Sequence, residues 1–279
     1  MEIKPLSVVL SSVTIAGFLY FLPTTNPKGI VVKEPVKRDN TALQDTFDKQ
    51  LAEVTLTLDS NIQPIVRKYQ NLLTTQQGTA KIPTLDTLTN LWDSAMRPGV
   101  AVHYAKNKAE LTANSDDWIQ TGKRFLGLGM YVQEAAERNN LFQEAEKSFQ
   151  KSITIDPNSA TAKIGLASVY VESTNDPMKG IMLLRGILEK DSNNWEAHLN
   201  LGFFSMKSAQ YDKAIKRFEK VATLKPDYVE IYLYLAEACE AQRSFPQSIS
   251  YLQKYQSLNK DPLVQNQLQQ KIGFLKLQK

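Results

Sequence analysis

The sequence predicts an all-α protein: an α-solenoid of stacked helix pairs behind a single N-terminal transmembrane helix. Three observations carry this expectation. Ala145, Gly180, Ala214 and Ser248 form a column of small residues spaced 35, 34 and 34 positions apart. Four residues beyond each stands a bulky apolar side chain, Phe149, Leu184, Phe218 and Leu252, and three further on stand Ser152, Ile187, Val221 and Tyr255. Finally, residues 6–22 form an uncharged stretch of 17 residues between Pro5 and Pro23. A second small column, Gly122, Ala167, Gly202 and Ala236, precedes the first. Two helices in every unit, closest where the small side chains sit, account for both columns.

Composition narrows the function. Thirty-three basic residues against 29 acidic ones give a net charge of +4 over 279 residues, too mild and too dispersed for a nucleic-acid groove. One cysteine excludes an internal disulfide, and two histidines with that cysteine cannot close a zinc site of nitrogen and sulfur ligands.

Taking the elements in order, a helix over Leu6–Leu22 spans about 25 Å, slightly short of a ~30 Å hydrocarbon core. The PTTNPKG that follows has no small-x-small cleavage site, which favours an uncleaved anchor over a removed signal. Lys28, Lys33, Lys37 and Arg38 outnumber Lys4 and the terminal amine, so the charge count puts the following domain on the cytoplasmic face rather than the periplasmic one. Residues 23–41 read as a proline-containing, semi-extended tether. Over 42–78 the residues Leu43, Phe47, Leu51, Val54, Leu58, Ile62, Ile65, Tyr69 and Leu72 lie on one helical stripe, which Pro64 kinks or splits. That stripe suits a helix that covers the next unit, with a self-associating coiled coil as the alternative.

The columns resemble the tetratricopeptide repeat (TPR), whose pattern runs W-x2-L-G-x2-Y, then A-x3-F, then P. The fit is best in 195–228, through Leu201-Gly202, Tyr211, Ala214, Phe218 and Pro226. Unit 229–262 matches at Leu235-Ala236, Phe245, Ser248 and Leu252, and unit 160–194 carries one extra residue in its turn. Unit 115–159 opens on Trp118, Gly122 and Phe125 and closes on Ala145, Phe149 and Pro157, with 11 surplus residues between. Because Phe125, Leu128, Val132 and Ala135 continue one stripe, a lengthened first helix is expected there. A degenerate pair spans 82–114 through Leu85, Leu88, Trp92, Pro98, Ala101 and Ala105, with Thr89 at the small position. After Pro262, the residues Leu263, Val264, Leu268, Ile272 and Leu275 form the apolar side of a capping helix over 263–279. The resemblance implies a right-handed superhelix.

No constellation carries catalysis. His198 and His103 lack partners at catalytic or ligand spacing, and Cys239 falls in the tyrosine column, where a small apolar residue packs. Gly127-Leu128-Gly129 lies inside a helix, and Asp116-Asp117 reads as an N-cap with a first-turn acid. No enzyme, cofactor or metal is expected. The resemblance instead implies a concave groove lined by Ile164, Ser168, Leu199, Asn200, Phe203, Lys207, Glu230, Leu233, Tyr234 and Glu237. An exposed Phe203 beside Tyr234 and Leu233 would suit a peptide or helix. The carboxylate-clamp form of the repeat is excluded: of its positions only Asn200 fits, while Ile164, Ser168, Glu230 and Tyr234 do not, Glu230 having the wrong sign. The chain is similar to membrane-anchored TPR scaffolds of bacterial envelopes, which implies a protein or peptide partner and a place in the cytoplasmic membrane. The alternatives are a self-associating structural subunit and a periplasm-facing, chaperone-like accessory protein.

Overall fold

A computed structural model describes residues 51–173 and 176–278. The expected membrane span 6–22, the tether 23–41 and the start of the 42–78 segment lie outside the described residues. Among the described residues no helix is long and apolar enough to cross a membrane, and no strand occurs. The chain divides into two compact units, 1–162 and 163–279.

In the first unit, residues 51–56 are helical, the helix breaks over 57–62, and α1 (Gln63–Thr75) restarts with Pro64 in its first turn. There a missing N–H costs nothing, because that donor would have no intrahelical acceptor. The break re-phases the apolar stripe. Val66, rather than the expected Ile65, enters the core, and Ile65 is left 44% exposed and Leu72 exposed as well. Val66 joins Leu85, Leu88, Trp92, Ala101 and Tyr104, with Leu51, Val54, Leu58, Ile62, Tyr69 and Leu73 packed around them. The segment therefore covers the pair formed by α2 (Ile82–Ser94) and α3 (Pro98–Thr112). At Thr89, where the repeat has a small residue, the hydroxyl donates back to the Leu85 carbonyl at 2.8 Å, so the buried oxygen is satisfied.

α4 (Ser115–Tyr131) and α5 (Ala135–Ile155) share the surplus residues, which corrects the expectation of one lengthened first helix. Val132 turns extended, and the Glu134 carboxylate caps α5 by accepting from the Ala136 and Glu137 amides. A cap at Glu134 ends the continuous stripe. A second correction concerns Asp116-Asp117. The N-cap is Asn114, whose side chain accepts from the Asp116 amide at 2.8 Å. Asp117 accepts from Thr112 at 2.7 Å and pairs with Lys108, which also reaches Asp86.

The second unit contains most of α6 (Ala160–Glu172), then α7 (Pro177–Lys190), α8 (Trp195–Lys207), α9 (Tyr211–Leu224), α10 (Ile231–Ala241), α11 (Phe245–Leu258) and α12 (Pro262–Leu275). The helices pack in chain order, each against its successor, in a TPR-like solenoid arrangement. α12 lays Val264, Leu268, Ile272 and Leu275 on Ala236, Leu252 and Tyr255. Leu263 was expected on that face but is 74% exposed, because as the residue after Pro262 it lies in the first turn, off the buried stripe.

Both units use the same close approach. A Cβ at Gly122 would stand 2.9 Å from the Phe149 ring, and one at Gly180 would stand 2.5 Å from the Ala167 carbonyl oxygen. At Gly202 a Cβ would collide with the Phe218 ring, which is fully buried. The hairpin corners repeat as well. Met96, Ala209 and Arg243 all adopt left-handed backbone (φ 57°, 56° and 60°). The amide that follows each of them donates to the carbonyl five residues back: Arg97 to Trp92, Gln210 to Ser205 and Ser244 to Cys239, at 2.9, 2.8 and 2.7 Å. This Schellman closure satisfies an otherwise orphaned helix-end carbonyl. The 82–114 pair thus turns its corner as the better-patterned pairs do.

Two alanine substitutions should move stability in opposite directions. Gly202→Ala forces the buried Phe218 ring to shift and is expected to cost on the order of 1–3 kcal/mol. Gly186→Ala in α7 meets no atom within 4 Å and is expected to add about 0.5–1 kcal/mol through helix propensity. Urea unfolding of the full-length protein reads both.

Candidate partner-binding face

The residues expected to line a groove fall on α6, α8 and α10, the first helices of successive pairs in the second unit. Lys207 is exposed; Ile164, Leu199, Asn200, Glu230, Leu233, Tyr234 and Glu237 are half-buried; Ser168 and Phe203 are buried. The expectation of an exposed Phe203 is therefore corrected: the ring is 8% accessible. It packs edge-on against Phe218 (centroids 5.4 Å apart, planes at 65°) and against Tyr234 (4.8 Å, 78°), the edge-to-face geometry that aromatic quadrupoles favour. The small side of α8 at Gly202 lets Phe218 in, and Phe203, the next residue, closes over it.

Several of these side chains tie one helix to the next. Ser168 Oγ donates to Asn200 Oδ1 at 3.2 Å, joining α6 to α8. Asn200 Nδ2 then donates to the Glu196 carbonyl at 2.9 Å, which fixes the amide. Lys207 Nζ meets Glu172 Oε2 at 2.9 Å at the other end of the same pair of helices. Phe203 and Tyr234 join α8 to α10, and the Tyr228 hydroxyl donates to that of Tyr234 at 3.4 Å. Burial, with the Tyr228 hydroxyl and nearby carboxylates, raises the Tyr234 pKa well above the ordinary phenol value, so the ring stays a neutral phenol. Burial likewise raises the Glu237 carboxyl, against the opposing pull of Lys271 on α12, which ion-pairs with Glu240 at 3.0 Å. Outside these ties stand the half-buried Ile164, Leu199 and Glu230, with Leu233 at the edge of the α10–α12 cluster.

The groups reviewed for catalysis have structural roles. His198 is buried between the Ser192 carbonyl (Nε2, 3.0 Å) and Arg217 Nη1 (Nδ1, 3.0 Å). Arginine can only donate, so Nδ1 accepts and Nε2 carries the proton: the ring is neutral. Burial lowers its pKa, with Arg217 and Lys220 adding to the effect. His103 stands 3.2 Å from the Asn107 amide. Burial pushes the Cys239 thiol up to about 11, far from a nucleophilic thiolate. Among the described residues no group of His, Cys, Asp or Glu could hold a metal ion. A concentration of charge that no motif marks, Lys213, Lys216, Arg217 and Lys220, lies on α9. Their i, i+3, i+4, i+7 spacing places them on one helix face.

Phe203→Ala should destabilise the protein by about 3–5 kcal/mol in urea unfolding, as an aromatic removed from a core does. Lys207→Ala, which removes a partly exposed pair, should cost under about 1 kcal/mol. For His198 the native pKa lies below the unfolded value near 6.5, so the native state binds fewer protons. Stability contributed by the neutral ring is present above about pH 6.5 and is lost as pH falls from there toward the native pKa. His198→Gln should flatten that part of the stability–pH profile.

Residues 205–272 match the family model described as tetratricopeptide repeat. The chain is 25% identical over 144 residues to the mitochondrial import receptor subunit TOM70 of Rattus norvegicus, covering 50% of this chain and 23% of that one. It is 30% identical over 110 residues to the anaphase-promoting complex subunit CDC16 of Saccharomyces cerevisiae, covering 37% of this chain and 13% of that one. The matches thus span less than a quarter of these relatives' own length. Among solved structures, a tetratricopeptide repeat protein from Parabacteroides merdae superposes with a TM-score of 0.55 at 15% identity, over 75% of this chain and 77% of that one. A thermophilic one from Thermus thermophilus superposes with a TM-score of 0.52 at 16% identity, over 68% and 96%. Sequence match and superposition agree on a helical repeat fold of the tetratricopeptide type.

Proposed function

We propose that this protein is a non-catalytic adaptor that holds a protein or peptide partner against the α6–α8–α10 face, and that residues 6–22 anchor it in a bacterial cytoplasmic membrane. The observation that carries the reading is what the face keeps free after its own ties are made. Ile164 and Leu199 stay half-buried, Leu233 packs at the edge of the α10–α12 cluster with part of its surface still accessible, and the charges nearby are of both signs, Glu230 and the Glu172-paired Lys207. A small apolar strip with a charged margin is the composition of a protein-recognition surface. The two curated relatives are named as subunits of an import receptor and of a multisubunit complex, consistent with a fold used for assembly. The span at 6–22 and the Lys/Arg excess after it support a tether with the repeats on the cytoplasmic side.

A second reading, self-association through the 42–78 segment, is favoured by the exposure of Leu56, Ile65 and Leu72. Light scattering of the full-length protein in detergent separates the two, since a concentration-independent monomer removes it.

A photo-crosslinking side chain placed at Leu199 or Leu233 of the membrane-bound protein is expected to give an adduct of higher mass, and one placed at exposed Lys254 none. No adduct at either position would overturn the assignment of the face. Alkaline phosphatase fused after Lys279 is expected to be inactive; an active fusion would place the repeats outside the cytoplasm.

A further inference from the structure

A cavity of about 360 Å³ opens between α7, α8 and α9. Its apolar floor is Ile181, Leu201 and Phe204, and His198 stands in its wall. Five cations line it, Arg185 from α7 and Lys213, Lys216, Arg217 and Lys220 from α9, and no carboxylate does. Other cations of the described structure, Lys106, Lys108, Arg124, Lys207, Lys225 and Lys271, each meet a carboxylate within 3.2 Å. Among the described residues none of the five has a carboxylate at ion-pair distance. Lys213 is held instead by the Gln210 side-chain oxygen at 2.6 Å.

This arrangement opposes itself. Burial lowers the Arg217 pKa, and the Arg185 charge lowers it further. Arg217 and Lys220 together outweigh Asp191 at His198. A concave site that gathers like charges repels itself until an anion enters. The site is also built rather than incidental. The Ser192 carbonyl fixes the proton of His198 on Nε2, which leaves Nδ1 to accept from Arg217 Nη1 and so aim the guanidinium. A planar fork held in place suits tetrahedral oxyanions, which accept two parallel N–H bonds. A single carboxylate would cancel one charge of five, whereas a phosphoryl group carries close to two negative charges at neutral pH and three acceptor oxygens. The volume lies at the small end of ligand sites, enough for a phosphoryl or diphosphoryl group but not for a folded segment.

We infer that the cavity between α7, α8 and α9 binds a phosphoryl anion, with Arg217 and Arg185 gripping its oxygens, Lys216 and Lys220 supplying charge, and His198 acting as a positioning residue for Arg217. The anion arrives either free in solution or as the headgroup of a phosphorylated lipid, the chemistry being the same. This site does not depend on the partner face, which lies on other side chains.

The test uses the full-length protein in detergent, with inorganic pyrophosphate as probe at constant ionic strength. Calorimetric titration is expected to show saturable one-site binding, and thermal unfolding a rise in Tm. Arg185→Gln with Lys220→Gln should weaken binding at least tenfold and remove the Tm rise. The same double variant should melt no lower than the parent without ligand, because it relieves repulsion; this separates loss of the site from loss of the fold. Lys254→Gln, outside the cavity, should bind as the parent does. His198→Gln should weaken binding less than Arg217→Gln. Binding to vesicles bearing phosphatidylinositol 4-phosphate but not to pyrophosphate, lost in the double variant, supports the inference with lipid as the source. The inference is overturned if neither probe binds, if the double variant binds as well as the parent, or if only a glutamate-rich peptide binds.

Discussion

The contact on which everything else depends is a ring seated against a bare backbone. Phe149 on Gly122 and Phe218 on Gly202 let the two helices of a hairpin approach more closely than side chains of ordinary size permit. That approach buries the ring completely, and full burial of such a side chain contributes roughly 1.5–3 kcal/mol. No single hairpin can close this contact and also cover its outer apolar side, so each leans on the next and the stack must be ended by a helix that turns a polar back to water. α12 covers the last hairpin of the second unit, and the 51–75 segment covers α2 and α3 in the first.

The same contact explains why the partner face differs from the one the pattern implies. Position by position, the repeat assigns Phe203 to the groove, but a ring at 203 lies one residue from the glycine that admits Phe218. Stacking on Phe218 and Tyr234 is then worth more than display to a partner. Ser168 and Asn200 follow suit by pairing with one another. The face is thus partly consumed in holding α6, α8 and α10 in register, and what it offers outward is narrower and more aliphatic.

The hairpin architecture was legible in the sequence because it rests on periodic volume, and volume is written directly in residue type: Gly202 stands in a column of small residues and Phe218 in a column of bulky ones, although their contact with each other was not written there. The elements that were misread depend on local backbone events. The cap at Glu134 broke a helix that the apolar stripe alone would have continued, and while Pro64 split the 42–78 helix as expected, the re-phasing that turns Ile65 out and Val66 in was not in the pattern. The basic cavity was illegible for another reason. Its charges come from α7 and α9, whose cations look like ordinary solvated faces until packing brings them around one hollow. Only the lysine and arginine spacing on α9 hinted at it.

The corners at Met96, Ala209 and Arg243 are closed by a main-chain bond, and none of the three uses glycine. A bend specified by backbone hydrogen bonding admits side chains as unlike as Met, Ala and Arg at its left-handed residue, though β-branched ones are disfavoured there, so its residues can drift while its shape persists. In a chain built this way, ancestral units can outlast their signatures. Counting repeats by letters will then undercount them, and the geometry of the bends is the better record of how many duplications the array has undergone.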